Sequence, residues 1–202
     1  MNSEWLIVFL AYLIGSVPFG LWITKLVYGF DIRTKGSGNI GSTNVGRFTS
    51  KSFALWIQIL DMLKGLVPVA LILYRFDIHH VLVYRVAFAT VVGHCFSIFL
   101  LFKGGKGVNT SIGALVCILP ISVAIGIGVY FLVKKFSHFV SMSSMSMSIS
   151  WILSSLIVVQ DPKQIIFTSA LCMVVVIRHR KNIIRLMKGE EPKTNIESHQ
   201  IG

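Results

Sequence analysis

Charge is scarce in this chain, and acidic charge scarcest. Of its 202 residues 13% are charged and 54% hydrophobic, with a mean hydropathy of +0.75, whereas a soluble domain carries about 25% charge. That composition excludes a water-soluble globule and makes the bilayer the solvent. Asp and Glu number 8 against 19 Lys and Arg, and only Asp61 lies deep in an apolar run. Chemistry on such a chain must work by positioning and by stabilising negative charge. Cys95, Cys117 and Cys172 show neither paired nor metal-ligand spacing, so they read as buried thiols. No metal-ligand cluster is present in the sequence, and no metal or cofactor is expected.

What the chain has in quantity is apolar length. A spanning helix needs about 20 mostly apolar residues. Residues 5–28 qualify, with Gly15, Pro18 and Gly20 as kinks or packing points. Further runs cover 53–76, 82–102, 112–133, a block at 137–159 rich in Ser and Met, and 165–177. The first four residues lack a basic stretch and no cleavage site follows, so the first helix is expected to be retained. Hydropathy thus gives six blocks. Positive charge, however, collects in the loop 29–51 and in the segment after 177, and both belong inside by the positive-inside rule. With the N-terminus outside, that requires an odd number of crossings. The expectation is an all-α membrane protein, a polytopic bundle of about seven transmembrane helices with a cytoplasmic C-terminus. It forms one domain over 1–202, ending in a flexible cytoplasmic tail at 189–202. The extra crossing is expected from 137–159, divided near Ser143 and Ser144 or dipping in and back.

Three clusters rich in glycine, cation and amide end these runs. The first is Gly36-Ser37-Gly38-Asn39-Ile40-Gly41-Ser42-Thr43-Asn44-Val45-Gly46-Arg47, the second Lys103-Gly104-Gly105-Lys106-Gly107, the third Arg178-His179-Arg180-Lys181-Asn182-Ile183-Ile184-Arg185. Glycine lets backbone approach a ligand and present N–H groups, while Lys, Arg, Asn and Ser supply donors for anionic oxygen. On one membrane face they suggest a site for phosphate groups beside lipid. The Gly-x-Gly-x-x-Gly at 36–41 is no dinucleotide fingerprint, because a spanning helix precedes it. The second cluster is no P-loop, since Leu100 and Gly107 stand where Gly and Ser or Thr are required. The helix N-terminus after Gly107 remains able to favour a phosphate. Alternatively, each cluster is an interfacial turn, with Ser37, Asn39, Ser42, Thr43 and Asn44 capping helices.

Asp61 and Lys64 share a helix face at i, i+3, as a structural ion pair or as a wall of the site. His94 reads as a packing residue or a catalytic one, His79 and His80 as turn residues. His179, among cations, is a proton acceptor, a phosphate donor or a surface residue. No His is followed five residues later by Asp and no Gly-x-Ser-x-Gly occurs, which excludes the His-x4-Asp acyltransferases and the serine elbow.

In these residues the chain resembles the bacterial acyl-phosphate-dependent glycerol-3-phosphate acyltransferase family. The match includes Ser16-Val17-Pro18-Phe19-Gly20, segment 36–47, Leu60-Asp61-Met62-Leu63-Lys64-Gly65, Gly93-His94-Cys95-Phe96, Phe102 to Val108, and Arg178 to Leu186 with Gly189-Glu190. The chain departs from the pattern at Ser97, where proline is usual, and at Ser42 and Asn109, where alanine is common. The resemblance implies an enzyme of the bacterial inner membrane with its active site facing the cytoplasm. It implies acyl transfer from acyl-phosphate to the sn-1 hydroxyl of glycerol 3-phosphate, giving lysophosphatidic acid and phosphate. Ser37, Lys106 and His179 would be catalytic. Gly38, Asn39, Asn44, Arg47, Gly104, Gly105, Gly107 and Asn182 would bind substrate or phosphate. Its partners would be the two substrates, the bilayer and an enzyme that makes acyl-phosphate, with no nucleic acid. An anion carrier or an acidic-lipid scaffold remain alternatives, though no internal repeat supports the first and the second leaves the glycines unexplained.

Overall fold

The computed structural model describes residues 3–158 and 161–194. Its regular elements there are helices: α1 Ser3–Ser16, α2 Phe19–Tyr28, α3 Ser42–Val45, α4 Lys51–Leu73, α5 Val81–Cys95, α6 Val108–Val116, α7 Pro120–Ser137, α8 Val140–Val158, α9 Pro162–Arg178 and α10 Arg180–Met187. Single 3-10 turns occur at Ile32–Thr34 and Ile98–Leu100. Among the described residues five runs are long and apolar enough to cross a bilayer: Ser3–Tyr28, Lys51–Leu73, Val81–Leu100, Pro120–Ser137 and Val140–Val158. The chain divides into two compact units at residues 118 and 119.

In the N-terminal unit, glycines set the helix spacing. A Cβ on Gly15 would meet the Thr90 carbonyl, and one on Gly93 would meet Tyr12 O and lie 2.9 Å from Ser16 N. The α1–α5 crossing is therefore backbone against backbone. Gly65 and Gly113 do the same between α4 and α6, against Thr110 and Met62. Lipid tails supply no hydrophobic drive between helices, so such close approach is what holds them.

The first apolar run is broken at Val17 and Pro18, between α1 and α2. A break in the bilayer frees carbonyls that no water can reach. Ser97 Oγ donates to Ser16 O at 2.6 Å, and Lys64 Nζ donates to Val17 O at 2.9 Å. Lys64 also pairs with Asp61 at 2.8 Å, one turn away on α4, on the shared face that their spacing predicts. Below the break, Leu21, Ile32, Ile40, Val45, Ile57 and Leu100 form one buried cluster. It ties α2, the loop 29–50, α4 and the turn after α5 together.

In the C-terminal unit, α7 packs on α8 and α8 on α9. Serines are tolerated within α8 because Ser143, Ser148, Ser150, Ser154 and Ser155 donate to carbonyls three or four residues earlier, which satisfies each hydroxyl locally. Gly126 of α7 receives the Trp151 indole, which is fully buried.

Two sequence expectations are corrected. The run 112–133 is not one helix: α6 ends at Val116 and α7 restarts at Pro120, whose fixed φ and missing N–H suit a first helical position. The block 137–159 is not divided near Ser143: α8 runs unbroken over Val140–Val158, and residue 159 lies outside the described residues. Of the segment expected as a flexible cytoplasmic tail, 189–202, the described part begins with bonds to the rest of its unit. Gly189, at φ +72°, turns the chain, and Thr194 N–H and Oγ1 each donate to His138 O at 2.9 Å. Residues 195–202 lie outside the described residues.

The close α1–α5 crossing makes a direct prediction. Gly93→Ala should destabilise the detergent-solubilised protein by about 1–3 kcal/mol through overpacking. Gly128→Ala, which adds a methyl into open space, should not lower stability. Thermal unfolding of the two variants checks this, and equal melting points would contradict it.

Candidate functional site

The first cluster is a built loop. Asp31 caps the turn at Ile32–Thr34, accepting from Arg33 N–H at 2.9 Å and from its guanidinium at 2.6 Å. The guanidinium beside it holds the Asp31 carboxyl below the ordinary carboxylate range. At the loop's centre Asn44, 2% exposed, uses its amide nitrogen on the carbonyls of Ile32, Lys35 and Asn39 at 3.3, 3.0 and 2.9 Å. Its Oδ1 accepts the Ser37 N–H at 3.0 Å. Asn39 Oδ1 accepts the Gly41 N–H at 3.1 Å. Gly36 and Gly38 sit at φ +52° and +70°, the left-handed region that glycine enters without steric cost. Asn44 thus shapes the loop with the very groups that were expected to meet a phosphate. Arg47, just beyond α3, is exposed.

The second cluster follows α5. Leu101 and Phe102 carry the backbone at φ +50° and +62° and turn it back on the helix end. Gly104 N–H donates to Cys95 O at 3.2 Å and Gly105 N–H to His94 O at 2.9 Å. These donors satisfy terminal carbonyls of α5, which have no partner within the helix. A Cβ on Gly104 would strike His94 O, and one on Gly105 the His94 ring. Glycine is therefore demanded at both positions by packing, and the expectation of bare amides at 104 and 105 is corrected. The hairpin leads through the half-buried Lys106 and Gly107, at φ +86°, into the first turn of α6, whose N–H groups have no partner within the helix.

The first and second clusters are joined. Asn109 Nδ2, in the first turn of α6, donates to Ser42 Oγ at 3.2 Å. The buried cluster at Ile32, Ile40, Val45 and Leu100 lies under both.

The third cluster belongs to the C-terminal unit. His179, 1% exposed, stands between α9 and α10. Its Nδ1 lies 2.8 Å from Val175 O; a carbonyl only accepts, so Nδ1 carries the hydrogen and Nε2 is the nitrogen for a further proton. Asn182, 4% exposed, donates from Nδ2 to Glu191 Oε1 at 2.6 Å. That fixes the amide, whose buried Oδ1 has no hydrogen-bond partner among the described residues. Glu191 also accepts from Ser141 Oγ at 2.6 Å and pairs with Arg185 at 2.7 Å. Burial pushes the Glu191 carboxyl up, but donation from Ser141, Asn182 and Arg185 outweighs it and holds the group below its ordinary range. Sequence reasoning missed Glu191. The available signal was an acidic pair, Glu190 and Glu191, in an otherwise basic segment.

The sequence model of the family described as Glycerol-3-phosphate acyltransferase matches residues 5–189. A glycerol-3-phosphate acyltransferase of Bacillus cytotoxicus is 40% identical over 204 residues, covering 99% of this chain and 100% of the relative. One of Clostridium acetobutylicum is 38% identical over 191 residues, covering 91% of this chain and 96% of the relative. The crystal structure of PlsY, an integral membrane glycerol 3-phosphate acyltransferase, in its glycerol 3-phosphate form matches with a TM-score of 0.91 at 33% identity, over 95% of this chain and 96% of that one. Its lysophosphatidic acid form matches with a TM-score of 0.87 at 32% identity, over 95% of each chain. Matched along nearly its whole length in both sequence and fold, the chain belongs to the glycerol-3-phosphate acyltransferase family.

Proposed function

We propose that this protein moves a fatty acyl group from acyl-phosphate to the sn-1 hydroxyl of glycerol 3-phosphate, releasing lysophosphatidic acid and inorganic phosphate. It works in a bacterial inner membrane with its chemistry on the cytoplasmic face, and residues 1–202 act as one functional domain. The observation that carries this reading is the junction of the Lys106 hairpin with the Ser37–Arg47 loop through Asn109 and Ser42. It joins the loop that carries Arg47 to the hairpin that carries Lys106 and opens α6, and a lysine, an arginine and a helix N-terminus are a donor set suited to phosphoryl oxygens.

Acyl-phosphate is a mixed anhydride with a good leaving group, so a direct displacement suffices. The acceptor hydroxyl oxygen attacks the acyl carbon while the bond from that carbon to the phosphate oxygen breaks. Phosphate departs with the electron pair. Lys106 and the first turn of α6 stabilise the developing negative charge, and Arg47 holds a phosphate in its planar fork. The hydroxyl proton passes to His179 Nε2 or to a phosphate oxygen of the substrate. Asn182, held by Glu191, offers its carbonyl to the acceptor hydroxyl rather than a donor to phosphate. Ser37, Gly38 and Asn39 shape the loop edge that faces the substrates, while Asn44 positions it from within. Gly104 and Gly105 act through packing. An enzyme that makes acyl-phosphate is the functional partner; neither metal nor cofactor enters the balance.

The topology in this reading has seven crossings, N-terminus outside and C-terminus cytoplasmic. The two short ones are α6 and α9, whose 9 and 17 residues reach about 14 and 26 Å. The break at 117–119 replaces the division once expected near Ser143. The bond from Thr194 to His138 supports it, because it keeps the chain after α10 at the same end as the α7–α8 connection.

Purified protein supplied with acyl-phosphate and glycerol 3-phosphate should release phosphate in step with lysophosphatidic acid. Lys106→Ala should lower that rate by about 100-fold, the cost of losing an oxyanion-stabilising group; a rate within twofold of the parent would refute the assignment. Glu191 supplies a pH prediction. Its folded-state value is depressed, so its contribution is full above the ordinary carboxylate range, about pH 4–5, and is lost as pH falls through the folded value. Glu191→Gln should remove about 2 kcal/mol and flatten that acid loss in thermal unfolding; an unchanged acid profile would contradict it.

A further inference from the structure

Three ionisable residues buried in the N-terminal unit form one line that ends beside Lys106. Asp61, Lys64 and His94 are 2%, 4% and 5% exposed. Lys64 Nζ sits 2.9 Å from Val17 O at the broken helix and 2.8 Å from Asp61 Oδ1. The same carboxylate oxygen lies 3.6 Å from His94 Nδ1. The far side of the ring faces the hairpin: a Cβ on Gly105 would overlap Nε2 and lie 2.8 Å from Cε1. The His94 carbonyl accepts the Gly105 N–H at 2.9 Å. Both the ring and the backbone of His94 therefore touch the residue that precedes Lys106.

We propose that His94 is a positioning residue for acyl transfer: its ring, oriented by the Asp61–Lys64 pair, is the floor on which Gly105 rests and so sets where Lys106 stands. This decides a question that spacing left open, since Asp61 and Lys64 act as support for the site rather than as a wall of it. An imidazole suits the place because it presents a polar nitrogen to the carboxylate while its flat ring leaves room for glycine and nothing larger. Ionisable groups at membrane depth are retained for such specific use. The inference rests on the functional reading above for its kinetic consequence, but its geometry does not.

The test uses full-length protein in liposomes and a double-mutant cycle. Gly105→Ala should lower kcat by about 100-fold, the scale of a misplaced reacting group. His94→Ala should lower kcat by about 10-fold while the KM for glycerol 3-phosphate stays within about twofold. His94→Ala with Gly105→Ala should recover about 10-fold over Gly105→Ala, because the added methyl fills the space of the lost ring. His94→Gln, which keeps a polar group toward Asp61, should be faster than His94→Ala. Multiplying losses in the double variant, parental kinetics in His94→Ala, or equal rates for Gln and Ala would each overturn the proposal. If the parent releases no phosphate at all, the functional reading fails. The packing claim is then read from the melting points of the same proteins, where the double variant should again exceed Gly105→Ala and additivity would sink it.

Discussion

Inside a bilayer an unpaired carbonyl has no water to turn to, and the break at Val17 and Pro18 frees two of them. Ser97 and Lys64 close that gap, one with a hydroxyl from beyond α5 and the other with an ammonium from α4. Burying the ammonium in turn requires Asp61, which stands 3.6 Å from the His94 ring. A local defect in the first helix is thereby converted into a fixed relation among α1, α2, α4, α5 and the hairpin. Without it neither the loop nor the hairpin would have a rigid base.

On that base the glycines divide into kinds. Gly15, Gly65, Gly93 and Gly113 bring helix backbones into contact. Gly104 and Gly105 let the hairpin lie flat on the end of α5, and Gly36, Gly38 and Gly107 supply left-handed backbone. Most of the glycine that suggests a phosphate cradle in the sequence is therefore structural. The phosphate site proposed above draws instead on Lys106, Arg47 and the α6 N-terminus, in a chain with 19 basic and 8 acidic residues.

Much of this was legible from one dimension. The apolar runs read correctly as helical, and the spacing placed Asp61 and Lys64 on one helix face, where the ion pair is one of the two readings it allowed. The break at 117–119 escaped because hydropathy does not fall there; only Pro120, which starts a helix rather than interrupting one, marked it. The serines of α8 read as a division because a hydroxyl looks polar in sequence, while in the helix Ser143, Ser148, Ser150, Ser154 and Ser155 bond to the backbone of the preceding turn. What Asn44 and Glu191 bond to was hidden for a different reason. Asn44 holds backbone groups of its own loop and Glu191 holds side chains of α8 and α10, and no spacing rule encodes either set. Ser42 and Asn109, singled out separately as departures from the resemblance, prove to be bonded to each other. Two isolated oddities in the sequence are one contact in the fold.

The central claim is that the Ser37–Arg47 loop and the Lys106 hairpin form a single phosphoryl site at the start of α6. A crystal structure of the protein with an acyl phosphonate, a non-transferable analogue of acyl-phosphate, tests this most directly. The account predicts phosphonate oxygens within hydrogen-bond distance of Lys106 Nζ and of first-turn amides of α6, with Arg47 turned toward them. A phosphonate bound away from Lys106, or one contacted by the hairpin while the first loop stands apart, would contradict it.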